Sequence, residues 1–385
     1  MTRGDVLRRD LLSRGILHPA DRPFPPGAHD TRSAATLGRL LGVTVTVAFA
    51  TGLISHLHQH PVGWFDLPSR PVRGYQISQG LHVVAGIAAL PLLLAKLWVV
   101  YRRLFLWPPV RGIGHAAERL MLVPLVAGLL FEVTSGLLNV ARWYPWPFFF
   151  PRVHYAVAWM VVGALVVHVT LKVHHLRAPE PAADASSEAD ADRRAVLLGA
   201  VGSVAALTLA TAGQTVPLLR AVSVLAPRDP TSGPAGVAVN RTAVAAGIRG
   251  AARDPGWSLA VAGLRPVRFT LAELAAMPQT TARLPIACVE GWSVSADWTG
   301  VPLRALLDLA GAPADAHLRA VSLERDWLYA SSPIGPAVAR DPLTLLALRL
   351  NGEPLDLDHG YPLRLIAPNR PGVHQTKWLA RIEPA

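Results

Sequence analysis

Leu284-Pro-Ile-Ala-Cys-Val-Glu-Gly-Trp-Ser293, followed closely by Trp298-Thr-Gly-Val-Pro-Leu303, decides how this chain reads. Its cysteine, Cys288, is the only one in 385 residues, which excludes an internal disulfide. Any role it has rests on packing or on thiolate chemistry. A solitary cysteine is by default a small buried hydrophobe. Here, however, Leu284 to Val289 has the composition of a strand, which delivers Cys288 to its end.

Outward from that stretch, from about Ala226 to the last residue, short strands alternate with turns. Trp257 to Gly263 reads as a strand, and Thr270-Leu-Ala-Glu273 as a capping box that opens a brief helix. Pro302 to Leu309 is expected as a helix, with Pro in its first turn and Gly311 just past its end. Further strands are expected at Leu318 to Leu323, Leu343 to Leu350, Pro362 to Ala367 and Lys377 to Ile382, and Asn351-Gly352 is a turn signal. The sum is a strand-rich α+β domain over residues 226–385.

The chain before about residue 215 is of another kind. Overall, 51% of residues are hydrophobic and only 16% charged, and the mean hydropathy is +0.32. A hydrocarbon layer of roughly 30 Å needs about 20 apolar residues in a helix. Five stretches qualify: Ala34 to Ser55, Gly80 to Val100, Leu120 to Val140, His154 to Leu171 and Ala195 to Ala212. Pro91 and Pro124 inside them are tolerated in membrane helices. The net charge of +11 comes from arginines flanking these runs, not from one basic stripe with interleaved aromatics, so nucleic acid is not an expected partner. Membrane lipid is.

Basic residues in the short connections set the orientation. Arg3, Arg8, Arg9, Arg14, Arg22 and Arg32 lie in the N-terminal tail, and Arg102, Arg103 and Arg111 between spans two and three. Lys172, Arg177, Arg193 and Arg194 lie between spans four and five. The opposite connections are poorer in charge, and Trp143, Tyr144, Trp146 and Phe148 to Phe150 make an aromatic belt there. The expectation is a cytoplasmic N-terminus, five spans in the cell membrane and an extracytoplasmic C-terminal domain. Residues 1–33 read as a polar tail without a signal-peptide core, 34–176 as a four-helix membrane domain and 177–192 as a linker. Residues 193–215 read as the fifth span, whose opening Asp192-Arg193-Arg194-Ala195-Val196-Leu197-Leu198 resembles a twin-arginine export signal; plain positive-inside charge is the alternative.

Histidines in apolar spans point to function. His168 follows His154 by fourteen residues, about four helical turns, so both leave one face about 21 Å apart. That spacing resembles di-haem cytochromes b, and imidazole is a common axial ligand. An outer haem b on His82 and His154 is the expected pairing, with His56, in the cluster His56, His58 and His60, as an alternative ligand. His168 is an inner haem candidate or a quinone-site residue, since Lys96 stands where its symmetrical partner would be. Glu132 and Asn139 are candidates for quinol proton transfer or for helix–helix hydrogen bonding.

The Cys288 stretch and three later segments, Asn351-Gly-Glu-Pro-Leu355, His359-Gly-Tyr-Pro-Leu-Arg364 and Thr376-Lys-Trp378, together resemble the sulfite oxidase family of molybdopterin enzymes in order and spacing. Taken with the five apolar runs, the resemblance implies a fold: a five-span helical bundle followed by an α+β, sulfite oxidase-like molybdopterin domain. It also implies roles. The Cys288 thiolate would bind molybdenum and carry the catalysis. Asn240-Arg241 resembles the family's first pterin-contacting segment, Arg364 and Lys377 match its phosphate-binding positions, and Glu290, Gly291 and His374 fall within cofactor-binding motifs. The run Gly372-Val-His374-Gln375-Thr376-Lys377-Trp378 departs from the family, which has a basic and a small hydroxyl residue before Lys-Trp. Arg325 and Arg370 are candidates for the substrate side, and Tyr329 reads first as a core tyrosine, with a place near the metal as the alternative.

Together these readings imply a membrane-anchored molybdopterin oxidoreductase. It would exchange electrons between quinone or quinol, haem b and molybdenum, and reduce a small or protein-bound S- or N-oxide such as methionine sulfoxide. A sulfite-type oxidase working in reverse, or a haem-b membrane reductase or anchor with a cofactor-free binding domain, are the alternatives.

Overall fold

The computed structural model describes residues 29–62, 65–104, 110, 112–177 and 187–385. Most of the expected N-terminal tail and of the linker lie outside these residues. Each long apolar run closes as a helix, because only intrahelical hydrogen bonding satisfies its backbone without water. The helices are α1 (Thr31–Gln59), α2 (Gly74–Leu104), α3 (Ile113–Val140), α4 (Phe150–Arg177) and α5 (Ser187–Thr211). All five are long and apolar enough to cross a membrane. α5 opens inside the polar stretch expected as linker, where Asp190 and Arg193 pair at 2.9 Å one turn apart.

The described chain divides into two units, one comprising residues up to Phe49 and Val84–Leu209, the other Ala50–Val83 and Ala210–Ala385. In the first, Leu37, Leu41, Leu92, Leu93, Leu125, Leu129 and Val161 form the buried seam between helices. Close approach of α3 and α4 depends on Gly128, where a Cβ would lie 2.5 Å from Val161 Cγ2. Large apolar side chains elsewhere on α4 and α5, such as Val166, Leu171, Leu198 and Val201, point outward.

The second unit holds two five-stranded sheets. Its strands are β1 (Ser258–Val261), β2 (Val267–Thr270), β3 (Thr280–Ala287), β4 (Ser293–Pro302), β5 (Leu318–Ser322), β6 (Ser331–Ile334), β7 (Leu345–Leu350), β8 (Glu353–Pro354), β9 (Arg364–Ile366) and β10 (Leu379–Pro384). One sheet runs β2-β1-β10-β5-β6; the other runs β3-β4-β7-β8, with β9 on β7. Alternation along β7 sends Leu345 and Ala347 to one core and Leu346 to the other, so the second sheet is covered on both faces. Helix α6 (Leu271–Ala276) opens on the expected capping box, with Thr270 and Glu273 each accepting from the other's backbone amide. Helix α7 (Leu303–Ala310) stops at Gly311, whose φ of 66° suits glycine.

Two strand boundaries differ from expectation in a way that matters for the site. β3 ends at Ala287, one residue before Cys288, because β3 and β4 pair from Thr280↔Gly300 to Ala287↔Ser293. Cys288 therefore belongs to the hairpin turn. β10 starts at Leu379, two residues later than read, because Trp378 takes φ 51° and turns Lys377 out of the ladder.

Residues 50–83 join this unit through specific contacts. Arg70 forks onto Asp341 with two bonds of 3.0 Å. Asn369 accepts from the Tyr75 amide at 2.6 Å and donates to Pro68 O at 2.7 Å.

Candidate active site

The turn between β3 and β4 folds on itself, with the Cys288 amide donating to Trp292 O at 2.9 Å and the Gly291 amide to Cys288 O at 3.0 Å. Gly291 supplies the φ of 83° that the reversal requires. Cys288 is 3% exposed and its sulfur accepts a hydrogen bond from Asn240 Nδ2 at 3.2 Å. Burial, and then the Glu290 carboxylate, push its thiol up to about 12, against the opposing pull of the Asn240 bond and the Arg228 charge. Such a sulfur persists as thiolate when a cation takes up its charge, the condition a metal ligand satisfies.

Beside the sulfur lies a cavity of about 120 Å³ that opens to solvent, lined by residues from four segments: 238–241, 286–292, 322–329 and 359–378. Gly372 keeps its wall clear next to the thiol, since a Cβ there would lie 3.1 Å from Ala287 O and 3.6 Å from Cys288 Cα. Asn240, Arg241, Arg364 and Lys377, all expected from the sequence, line this cavity. Arg241 pairs with Glu324 and lies 4.3 Å over the Trp327 ring.

Arg364 is the most telling of them. It is 4% exposed, its Nη1 donates to His359 O at 3.1 Å, and its guanidinium stacks 5.1 Å over Trp298. Nε finds no hydrogen-bond partner among the described residues. Burial draws the group down to about 9, so it stays a cation at neutral pH with no carboxylate beside it. An uncompensated buried cation on a cavity wall fits an anion, and the fork of an arginine fits phosphate. The donors present therefore suit a pterin phosphate at one end and a soft metal at Cys288.

Lys377 plays a different part from the one expected. Its ammonium gives all three protons to main-chain oxygens, of Asn240 at 2.8 Å, Arg241 at 3.0 Å and Asp358 at 2.6 Å. It ties the first pterin-like segment to the third. Gly360, at φ 112°, lets the two basic residues approach, since a Cβ there would meet Lys377 Cα at 3.1 Å and Arg364 Cβ at 3.3 Å. His359 reaches Pro234 O at 3.0 Å and Val237 O at 3.1 Å, and burial lowers it to about 4.

Three residues expected in cofactor-binding motifs do not line the cavity, and neither do the substrate-side candidates Arg325 and Arg370. Glu290 turns away to Arg228 at 3.1 Å and to Trp292 Nε1 at 3.3 Å. Gly291 offers its carbonyl to Thr215 Oγ1 outside the cavity. His374 is buried with its ring 6.1 Å from that of Tyr329, while its neighbours Gly372, Val373, Gln375 and Thr376 face the space. Tyr329, read first as a core residue, instead takes the alternative place and lines the cavity with Ser322, Glu324 and Trp327. The signal for that group was the polar and aromatic run Ser322 to Tyr329 directly after a strand.

Of the histidines, His56, His58, His60 and His82 belong to the second unit and His154 and His168 to the first. The rings of His56 and His60 lie 4.7 Å apart, tilted by 47°, and His82 packs on α1, where a Cβ at Gly52 would lie 3.0 Å from its Cε1. No three His, Cys, Asp or Glu side chains among the described residues gather as a metal site. His154 Nδ1 sits 3.1 Å from Glu132 Oε2 and 3.4 Å from Ser135 Oγ. Gly136 leaves room by its ring, a Cβ there lying 3.8 Å from His154 Cε1. Asn139 accepts from Tyr144 OH at 3.0 Å. Lys96 donates to Ala34 O.

Comparison with known proteins agrees with this geometry. Residues 247–385 match the family described as oxidoreductase molybdopterin binding domain, a match that begins after Asn240 and Arg241. The chain is 37% identical over 111 residues to the putative protein-methionine-sulfoxide reductase subunit YedZ1 of Azospira oryzae, covering 29% of this chain and 41% of that protein. It is 34% identical over 144 residues to the protein-methionine-sulfoxide reductase catalytic subunit MsrP of Gluconobacter oxydans, covering 33% and 46%. It is 36% identical over 95 residues to mitochondrial sulfite oxidase of Mus musculus, covering 23% and 17%. The chain thus spans less than half the length of each of these relatives. Its C-terminal region is an oxidoreductase molybdopterin-binding domain of the sulfite oxidase family, carried behind five long apolar helices.

Proposed function

We propose that this chain is a membrane-anchored molybdopterin oxidoreductase that reduces an oxidised sulfur or nitrogen compound, with methionine sulfoxide as the leading substrate class. The observation that carries the reading is the pairing, in one cavity, of the buried Cys288 thiol with the uncompensated Arg364 cation. The relatives named as methionine-sulfoxide reductase subunits support the substrate class and the direction.

Bound there, a molybdenum–pterin group would supply two-electron oxygen-atom chemistry that side chains lack. The chain's own residues do the rest. Cys288 offers the protein sulfur, and Asn240 donates a hydrogen bond to that sulfur, withdrawing electron density from it. Arg364 meets the anionic end, and Lys377 holds the segments that form the walls. Tyr329, Trp327 and Arg241 stand at the same cavity as polar and aromatic groups for a substrate.

In the same proposal the helical bundle delivers electrons from quinol through haem b to the outer, extracytoplasmic domain. His154 fits an axial ligand, because Glu132 at Nδ1 fixes the ring in the manner of a carboxylate–histidine–metal triad and Gly136 leaves space beside it. His82 is its proposed partner, with His56 as alternative, and His168 serves an inner haem or quinone site. Glu132 and Asn139 are the polar groups available to quinol. Likeness to mouse sulfite oxidase keeps the opposite direction, oxidation of a sulfite-type donor, as the second reading.

The test is purification of the full chain in detergent, followed by metal analysis, a reduced-minus-oxidised haem spectrum and turnover of methionine sulfoxide with a reduced quinone analogue. Molybdenum, a haem-b spectrum and turnover together support the proposal. Molybdenum with sulfite oxidation and no sulfoxide turnover would replace it with the second reading. Absence of molybdenum would end both.

A further inference from the structure

The Cys288 turn uses its own amides internally, which leaves the carbonyls of Glu290 and Gly291 facing outward in a buried setting. A buried carbonyl without a donor is costly. Both are satisfied from the short 3-10 turn that follows α5, at Ala212–Gln214, and the residue after it: Gln214 Nε2 donates to Glu290 O at 3.4 Å, and Thr215 Oγ1 donates to Gly291 O. Thr215 closes the contact from its other side by accepting from Ser293 Oγ at 3.1 Å. Ser293 Oγ in turn accepts from Gln76 Nε2, in the first turn of α2, at 3.1 Å. Gln214 and Thr215 are 1% and 5% exposed, so water does not compete for these bonds.

Both donors are themselves fixed. The amide of Gly213 donates to Ser223 Oγ at 2.8 Å, and Gly213 is needed there, since a Cβ would lie 2.5 Å from Ser223 Cβ. The start of α2 is tied by Asn369, and a Cβ at Gly74 would lie 2.6 Å from Asn369 Oδ1. The turn that bears the thiol is thus gripped by the ends of two of the long apolar helices.

We propose that Gln214, Thr215 and Gln76 are positioning residues for the Cys288 thiolate, so that the metal site is completed by the ends of α2 and α5. They touch neither cofactor nor substrate. They stop the peptides at 290 and 291 from turning over, which would carry Cys288 away from the cavity. The proposal rests on Cys288 being the metal ligand. It goes beyond that reading because it makes the helix ends part of the metal centre.

The test uses the full chain. Thr215→Val removes the donor at nearly constant shape, and Thr215→Ser restores it. In metal-free protein, hydrogen exchange at the Cys288 and Gly291 amides is expected to quicken at least tenfold in Thr215→Val, with the amides of β7 unchanged and Thr215→Ser like the parent. In metal-loaded protein, the paramagnetic Mo(V) signal is expected to change shape, and its one-electron midpoint to move by about 59 mV, a tenfold change in equilibrium. Unchanged exchange and an unchanged Mo(V) signal would overturn the proposal. Should Thr215→Val fail to accumulate, Gln76→Leu is read in the same two assays with the same criteria. If Cys288→Ser keeps the parent Mo(V) signal, ligation by Cys288 has failed; the exchange result still decides the role of Thr215 in holding the turn.

Discussion

Arg364→Met should move stability in opposite directions in empty and loaded protein. Burial lowers this arginine from 12.5 to about 9, which corresponds to about 5 kcal/mol spent on keeping it charged in place. Against that stand one charge-assisted hydrogen bond to His359 O, about 1.5–2 kcal/mol, and the stack on Trp298, about 1 kcal/mol. Methionine has similar length and needs no partner, so the metal-free variant should gain about 2 kcal/mol. Loaded protein should show the reverse, because an anion on the cavity wall loses the uncompensated Arg364 cation. Cofactor retention should fall by two orders of magnitude or more, as expected for about 3–5 kcal/mol from breaking a buried ion pair. Denaturant unfolding of the metal-free form, together with cofactor content after dialysis, reads both signs. A variant less stable when empty and undiminished in cofactor retention would refute the assignment of Arg364 to an anion.

Gly360→Ala should cost several kcal/mol and empty the site, because alanine at φ 112° is strained and its Cβ presses on Lys377 and Arg364; thermal unfolding and molybdenum content both report it. His359 gives the C-terminal domain an acid limit. Its folded value of about 4 lies below the unfolded 6.5, so the unfolded chain takes up a proton that the fold refuses. Stability is full above pH 6.5 and should fall by up to about 3 kcal/mol as pH drops to 4. His359→Gln should flatten that slope in urea titrations at several pH values. His154→Ala should remove the reduced haem-b band while His58→Ala keeps it; loss of the band in neither variant would exclude His154 as ligand.

The long helices were legible because membrane-length apolar runs leave few alternatives, and the capping box at Thr270 because its two partners are three residues apart. Cys288 and the basic residues of the cavity were legible through their motifs. β4 was not, since Ser293, Ser295, Asp297 and Gly300 do not look like a strand until β3 and β7 flank them. Motif membership also said nothing of side-chain direction. Glu290 and His374 stand within cofactor-type segments yet turn to Arg228 and Tyr329 instead. Tyr329 reaches the cavity because Ser322 to Tyr329 leaves the end of β5 beside it. The grouping of residues 50–83 with the C-terminal domain rests on contacts such as Arg70 with Asp341, 271 positions apart, which no local periodicity encodes.

X-ray absorption at the molybdenum edge of the purified full-length chain, parent against Cys288→Ser, bears most directly on the site. The parent should hold molybdenum with a protein sulfur in addition to those of the pterin, and the serine variant should show one sulfur neighbour fewer and an oxygen in its place. An identical sulfur count in both proteins would place the metal on some other ligand and contradict the assignment of Cys288.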